Sequence, residues 1–359
     1  MKILQGIRPL TLPLSITPVL IGGFAALESI RSSHIRFVKA LCVSGDMACR
    51  HTHYVHEKLS PFFFLMWALC LVVALFLQIA ANFANDYSDG MRGVDASRAD
   101  GAQAAPDDGA LGHHDHDIHL APSSASQSAS GPSRLVASGT DPMRVLMASI
   151  VSAVLACDAG LAIVMLTRQW WLIAVGALCL LAGWFYVGGK HPYGYRGLGG
   201  AAVFVFFGLV ATLGTEYVLV SRITAMGVYG AVSAGASACV VLGVNNMRDL
   251  RSDAAAGKRT LTVILGRRAA SALMLGELLV SMVALCAAVM ILKSPLGICG
   301  ALLAFSIAVV CVNDAWNCGA PDVSDDELAS VVDFRAMFHH AIGFSVALTI
   351  GYALCITIL

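Results

Sequence analysis

The sequence predicts an all-α, polytopic membrane protein with nine transmembrane helices. Three observations carry that prediction. Of 359 residues, 57% are hydrophobic and only 13% charged, with a mean hydropathy of +0.75; soluble domains run at about 45–50% apolar and about 25% charged. Apolar runs of the length that crosses a bilayer, about 20 residues, recur nine times along the chain. The Lys and Arg residues also divide unevenly between the two sides that nine spans define. The side of the N-terminus holds 15 of the 23, which the positive-inside rule assigns to the cytoplasm. One miscounted span would scramble that sorting, so the asymmetry supports the count as well as the orientation.

The first span, 9–28, is interrupted by Pro9, Pro13 and Pro18, which membrane helices tolerate where neighbours re-satisfy the backbone. No signal-peptide cleavage pattern follows it, so it reads as a retained span. Further spans are expected at 61–82, 143–166, 170–188, 199–220, 224–245, 270–292, 295–316 and 337–358. The whole chain, 1–359, reads as a single transmembrane domain with two atypical segments. By parity, 29–60 is an extracytoplasmic loop, carrying His34, His51, His53 and His56. Residues 96–130, rich in Ala, Ser, Gly and Asp, read as a disordered cytoplasmic insertion. Within it, His113, His114, His116 and His119 are of a type that binds metal, but a tract this biased reads first as a solvated loop. The 11 Cys residues include no CxxC pair and read as small buried hydrophobes. A formal net charge of 0 argues against a nucleic-acid partner; the partner that the composition demands is the lipid bilayer.

Two polar clusters sit where spans leave the membrane. Asn82-Phe-Ala-Asn85-Asp86-Tyr-Ser-Asp89-Gly-Met-Arg92-Gly-Val-Asp95 follows the second span. If the helix continues, Asn82, Asp86 and Asp89 share one face, and Gly90 and Gly93 let the chain turn afterwards. Asn245-Asn246-Met-Arg248-Asp249-Leu-Arg251-Ser-Asp253 follows the sixth span and leads to Lys258 and Arg259. There Asn245, Asp249 and Asp253 form one helical stripe. Crowded carboxylates repel unless a cation joins them, and hard oxygen ligands suit Mg²⁺ shared with substrate phosphates. Parity places both clusters on the cytoplasmic side. Together they match what a Mg²⁺–diphosphate complex needs, with carboxylates for the metal and Arg or Lys for phosphate oxygens. Polar residues at a membrane edge also serve as solvated caps; two matched clusters on one side favour the functional reading. A third stretch, Trp184 to Gly200, lies on the same side and contains Tyr186, Lys190, Tyr193, Tyr195 and Arg196. It reads either as an interfacial aromatic turn or as a wall of the same cavity.

These stretches, in this order, resemble the UbiA superfamily of intramembrane prenyltransferases. The interval from Asp89 to Asp95, the stretch Gly131-Pro-Ser-Arg134-Leu-Val-Ala-Ser138-Gly139, and the opening Arg8-Pro-Leu-Thr11-Leu-Pro13 are similar to the branch acting on 1,4-dihydroxy-2-naphthoate. The resemblance implies nine helices around a central cavity and Mg²⁺ held by Asp86, Asp89, Asp249 and Asp253. It implies transfer of a polyprenyl group from polyprenyl diphosphate to 1,4-dihydroxy-2-naphthoate, with loss of CO₂, to give demethylmenaquinone at a bacterial cytoplasmic (inner) membrane. The Asp-rich motifs would face the cytoplasm and the C-terminus the other side. Asp95 joins the four metal-holding aspartates as a catalytic candidate. Candidate substrate contacts are Arg8, Asn82, Asn85, Arg92, Arg134, Tyr186, Lys190, Tyr193, Asn245, Asn246, Arg248, Lys258 and Arg259. The chain departs from this branch at Gly200, where an acid is usual, and in the 96–130 insertion, which separates Asp95 from Arg134. The alternatives are a relative using another aromatic acceptor such as 4-hydroxybenzoate, and a small-molecule transporter. The polar residues gather at one face rather than at the midplane expected of a transporter.

Overall fold

The computed structural model describes residues 5–42, 60–92, 135–136, 138–320, 328 and 332–356. Among them the chain is helical, with one isolated β-bridge. A 3₁₀ turn (Pro9–Thr11) leads into α1 (Pro13–Cys42), which contains Pro18. Then come α2 (Pro61–Met91), α3 (Pro142–Thr167), α4 (Leu172–Val187), α5 (Gly199–Val220) and α6 (Ala225–Arg248). Two short helices, α7 (Leu250–Ala255) and α8 (Leu261–Leu265), precede α9 (Arg267–Leu292), α10 (Pro295–Gly319) and α11 (Phe334–Leu354).

Eight described helices are long and apolar enough to cross a membrane, and α4 is a shorter apolar helix of 16 residues. At 1.5 Å per residue α4 spans about 24 Å, short of a hydrocarbon core of about 30 Å. Among the described residues each of the nine expected apolar segments is built on a helix, eight of them at full crossing length. The protein is a multi-pass membrane protein. The helix boundaries differ from the apolar runs in informative ways. α1 continues to Cys42, so 29–42 of the expected loop is helical. α2 outruns its apolar stretch and carries the first Asp cluster on helix. Gly90 is part of α2 rather than a turn: a Cβ there would lie 2.4 Å from Val136, so the glycine admits a close approach. The His113–His119 tract lies outside the described residues.

The bundle is organised around α6, which packs against α1, α5, α9 and α11. Its sequence is rich in Ala, Gly and Ser, and in lipid such residues let helix backbones approach closely. At Gly208 of α5, a Cβ would meet the Ala231 carbonyl oxygen and the Gly235 Cα at 2.7 Å. Polar side chains tie the helices together. Ser233 and Ser281 each donate to the other's carbonyl (2.9 and 3.0 Å), and Thr349 donates to Thr17 Oγ1 at 3.0 Å.

Proline at the first turn and a capping side chain start several helices. Asp141 caps α3 by accepting from the Met143 N–H at 3.0 Å. Replacing Asp141 by Ala is expected to lower stability by ~1 kcal/mol, measurable as a small drop in the thermal midpoint of the purified protein. An unchanged midpoint would remove the cap from this account.

Candidate active site

The C-terminal ends of α2 and α6 lie at one end of the bundle, linked through the α4–α5 loop. Because α2 stays helical to Met91, Asn82, Asp86 and Asp89 do share a face, and all three are buried. The N-terminal segment folds over this face. Asn82 Nδ2 donates to the Ile7 carbonyl (2.9 Å) and to Thr11 Oγ1 (3.1 Å). Arg8 has a left-handed backbone (φ 51°), a conformation non-glycine residues seldom adopt, and its guanidinium pairs with Asp86 Oδ1.

The second cluster keeps its stripe across a break in the helix. Asp249 leaves helical geometry (φ −91°, ψ 7°), yet its N–H still donates to the Asn245 carbonyl at 3.0 Å. The Asp253 N–H donates in turn to the Asp249 carbonyl at 2.8 Å. Arg248 grips Asp249 with two bonds, Nε to Oδ1 at 2.8 Å and Nη2 to Oδ2 at 3.0 Å, the planar fork that suits carboxylates. Asp253 is buried, with Lys258 Nζ 3.7 Å from its Oδ1. Gly257 (φ 70°) makes the turn that brings Lys258 back, a backbone state that glycine adopts without a Cβ penalty.

The α4–α5 loop joins the two clusters. Ser88 Oγ donates to the Val187 carbonyl (2.8 Å), and Arg92 Nη2 to the Gly189 carbonyl (2.7 Å). The Tyr195 hydroxyl donates to Asp89 Oδ1. The Tyr195 ring lies 4.9 Å from Lys258 Nζ and 5.3 Å from Arg92 Cζ, within cation–π range. Its carbonyl accepts from the Arg259 N–H at 3.0 Å, beside a parallel bridge between Arg196 and Arg259. Burial, and then the Asp89 charge, push the Tyr195 hydroxyl well above its ordinary pKa, so it stays protonated and able to donate. Tyr186 and Tyr193 form an edge-to-face pair with centroids 5.4 Å apart.

The structure thus brings Arg8, Asn82, Asp86, Asp89, Asp253 and Lys258 to one end of the bundle, together with the Arg248–Asp249 pair. Asn85, Asn245 and Asn246 are half-buried on the same helix ends. Arg92 spends its guanidinium on loop carbonyls, so it clamps the loop. Tyr193 donates to the Ala182 carbonyl at 2.9 Å and braces α4. Lys190 and Arg259 are exposed. Asp95 and Arg134 lie outside the described residues. Tyr195 is not among the residues expected from the sequence to contact substrate; the alternation of Tyr193 and Tyr195 around Gly194 is the local signal that marks it. A separate cavity of about 160 Å³, lined by Glu28, Ser29, Thr224 and Tyr229 among others, lies at the opposite end of α6 and includes none of these groups.

Among the described residues no three His, Cys, Asp or Glu side chains gather as a ready metal site. The donor chemistry still fits Mg²⁺. Asp86, Asp89, Asp249 and Asp253 are all hard oxygen ligands, two on each motif. Mg²⁺ is commonly held by one or two carboxylates, with substrate phosphates and water completing its shell.

Comparison with known proteins agrees with this arrangement. Residues 52–342 match the UbiA prenyltransferase family. The chain is 38% identical over 263 residues to the 1,4-dihydroxy-2-naphthoate octaprenyltransferase of Mycobacterium tuberculosis, covering 73% of this chain and 69% of that one. It is 31% identical over 265 residues to the Escherichia coli protein of the same name, covering 71% and 74%. Its fold is similar to the structure of a UbiA homolog from Archaeoglobus fulgidus bound to DMAPP and Mg²⁺, with a TM-score of 0.54 at 12% identity over 100% of both chains. The helical bundle, the two Asp clusters at one end of it and these likenesses place the chain in the UbiA prenyltransferase family.

Proposed function

We propose that this protein transfers a polyprenyl group from polyprenyl diphosphate to 1,4-dihydroxy-2-naphthoate, with release of diphosphate and CO₂, in menaquinone biosynthesis. The observation that supports the reading is a pair of Asp clusters at one end of the bundle, each with its own basic partners and linked through Tyr195 of the α4–α5 loop. The relatives that share most of this chain's length carry the name of that activity. The proposed setting is the bacterial cytoplasmic (inner) membrane, with the Asp clusters on the cytoplasmic side and the C-terminus outside.

In this reading Asp86, Asp89, Asp249 and Asp253 hold Mg²⁺, which when bound neutralises the departing diphosphate as a Lewis acid. The chain's own residues do the rest. Arg8, Arg248 and Lys258 now pair with the carboxylates and are placed to turn to phosphate oxygens when the diphosphate arrives. Asn82 fixes the N-terminal segment, and with it Arg8, over the site. Asn85, Asn245, Asn246, Lys190 and Arg259 are further proposed contacts around the diphosphate, and Arg92 acts by holding the α4–α5 loop. Breaking the prenyl C–O bond yields an allylic cation, which water would quench, so the apolar helices serve as the dry wall the reaction requires. The faces of Tyr186 and Tyr193 are proposed to stabilise that cation. The electron-rich naphthoate ring then attacks, and loss of its carboxylate as CO₂ leaves the demethylmenaquinone skeleton. Asp95 and Arg134 are proposed to orient the aromatic acid.

The test incubates membranes containing the protein with Mg²⁺, polyprenyl diphosphate and either 1,4-dihydroxy-2-naphthoate or 4-hydroxybenzoate. The expected result is prenylated product and CO₂ from the naphthoate alone. Product from 4-hydroxybenzoate, or none from the naphthoate, would reject the assignment.

A further inference from the structure

We infer that Tyr195 is a positioning residue that locks the two Asp motifs into one diphosphate-binding arrangement, its hydroxyl holding Asp89 and its ring holding Lys258. The inference deepens the function proposed above and rests on it.

Three separate atoms or surfaces of Tyr195 reach three different parts of the site. The hydroxyl donates to Asp89 Oδ1, on α2. A hydrogen bond to one carboxylate oxygen fixes the rotation of the group. The ring face meets Lys258 Nζ at 4.9 Å, while Asp253 Oδ1 lies 3.7 Å from the same ammonium. Lys258 is therefore held from two sides, and its charge stays at the second motif rather than moving with a flexible side chain. The carbonyl accepts from the Arg259 N–H at 3.0 Å, so the backbone of the loop is pinned to the segment that carries Lys258. The loop itself is anchored to α2 by Ser88 and Arg92.

The chemistry gives this geometry a purpose. A diphosphate with its Mg²⁺ must be gripped from both motifs at once, and those motifs lie on α2 and on the α6–α7 segment, far apart in sequence. Tyr195 touches Asp89 of the first motif and, just past the second, the turn of Lys258 and Arg259, where the Lys258 ammonium faces Asp253. Because it is a neutral donor, it orders Asp89 without itself bringing a positive charge to a carboxylate proposed to hold a divalent cation.

The experiment compares the full-length wild type with Tyr195→Phe and Tyr195→Leu in lipid nanodiscs. Calorimetry reads the binding of inorganic diphosphate at increasing Mg²⁺. Tyr195→Phe keeps the ring and loses the hydroxyl. It is expected to need about 10–100-fold more Mg²⁺ for half-saturation, the usual cost of removing a group that orients a metal ligand. The KM for the aromatic acceptor should not change. Tyr195→Leu, which also loses the ring, should bind diphosphate more weakly still, even at saturating Mg²⁺. The inference is overturned if Tyr195→Phe binds Mg²⁺–diphosphate like the wild type, or if its acceptor KM moves while diphosphate binding stands. It is equally overturned if a fall in the thermal midpoint without ligand accounts for the lost binding. A wild type that binds no Mg²⁺–diphosphate would remove the proposed function along with it, whereas a wild type that binds and a Phe variant that matches it removes only the role of Tyr195.

Discussion

Alanine at Asp86 or at Asp249 is expected to abolish product formation, with a loss of about 10³-fold or more. The magnitude follows from asking the metal and its carboxylates to supply roughly 4 kcal/mol of charge stabilisation to the leaving diphosphate. The two variants separate chemistry from folding, because the two aspartates sit in different surroundings. Asp86 is fully buried, and its partner Arg8 is mostly so. Removing the carboxylate breaks a buried ion pair, which costs about 3–5 kcal/mol. Arg248 is about as exposed as Arg8, but Asp249 keeps 17% of its side chain exposed where Asp86 keeps none, so the pair lost in Asp249→Ala is the better solvated and the weaker of the two. Both variants should therefore lose activity, and Asp86→Ala should lose more thermal stability than Asp249→Ala. The assay normalises product to the amount of folded protein in the membrane. Asp249→Ala retaining a tenth of wild-type activity would mean that the second cluster is an ordinary helix cap.

Much of this site is legible in the sequence because lipid imposes simple rules. A span needs about 20 apolar residues, so the expected segments and the observed helices coincide closely from 142 to 319. The discrepancies arise where the helix does not need apolar residues to continue. Asn82 to Asp89 stays helical while nearby partners receive polar side chains along it, such as the Ile7 carbonyl for Asn82, Arg8 for Asp86 and Tyr195 for Asp89. No periodicity within α2 encodes those partners. α1 likewise continues to Cys42, beyond its apolar run. The i, i+4 and i+7 spacings identify which carboxylates share a face, but not which residue meets them through space. The Tyr195 link to Asp89 crosses 106 positions and depends on how the α4–α5 loop folds back, so its partner could not be read from local spacing. Gly90 illustrates the converse: its position after the carboxylates suggests a turn, whereas the contact with Val136 makes it a packing residue.

Gly208→Leu is expected to prevent stable assembly of the bundle, and Gly208→Ala to cost about 1–3 kcal/mol, the usual penalty for overpacking a tight interface. A Cβ at this position would lie 2.7 Å from both the Ala231 carbonyl oxygen and the Gly235 Cα. Those are backbone atoms of α6, which cannot swing aside as a side chain can. Gly214 lies on the same helix, but a Cβ there meets nothing within 4 Å. Gly214→Ala should be neutral, or stabilising by up to about 1 kcal/mol, because alanine favours helix more than glycine does. Thermal unfolding of the purified variants distinguishes the two positions, and equal midpoints would show that the α5–α6 contact does not limit stability. The contact also has consequences at the other end of α5. Cys239 Sγ donates to the Gly200 carbonyl at 3.3 Å, so the start of α5 is seated on α6 close to the loop that carries Tyr195. Forcing α5 away from α6 at Gly208 should loosen that seat and move Tyr195 relative to Lys258. Gly208→Ala is therefore expected to weaken Mg²⁺-dependent diphosphate binding as well as stability, although the glycine lies outside the site, whereas Gly214→Ala should leave both intact.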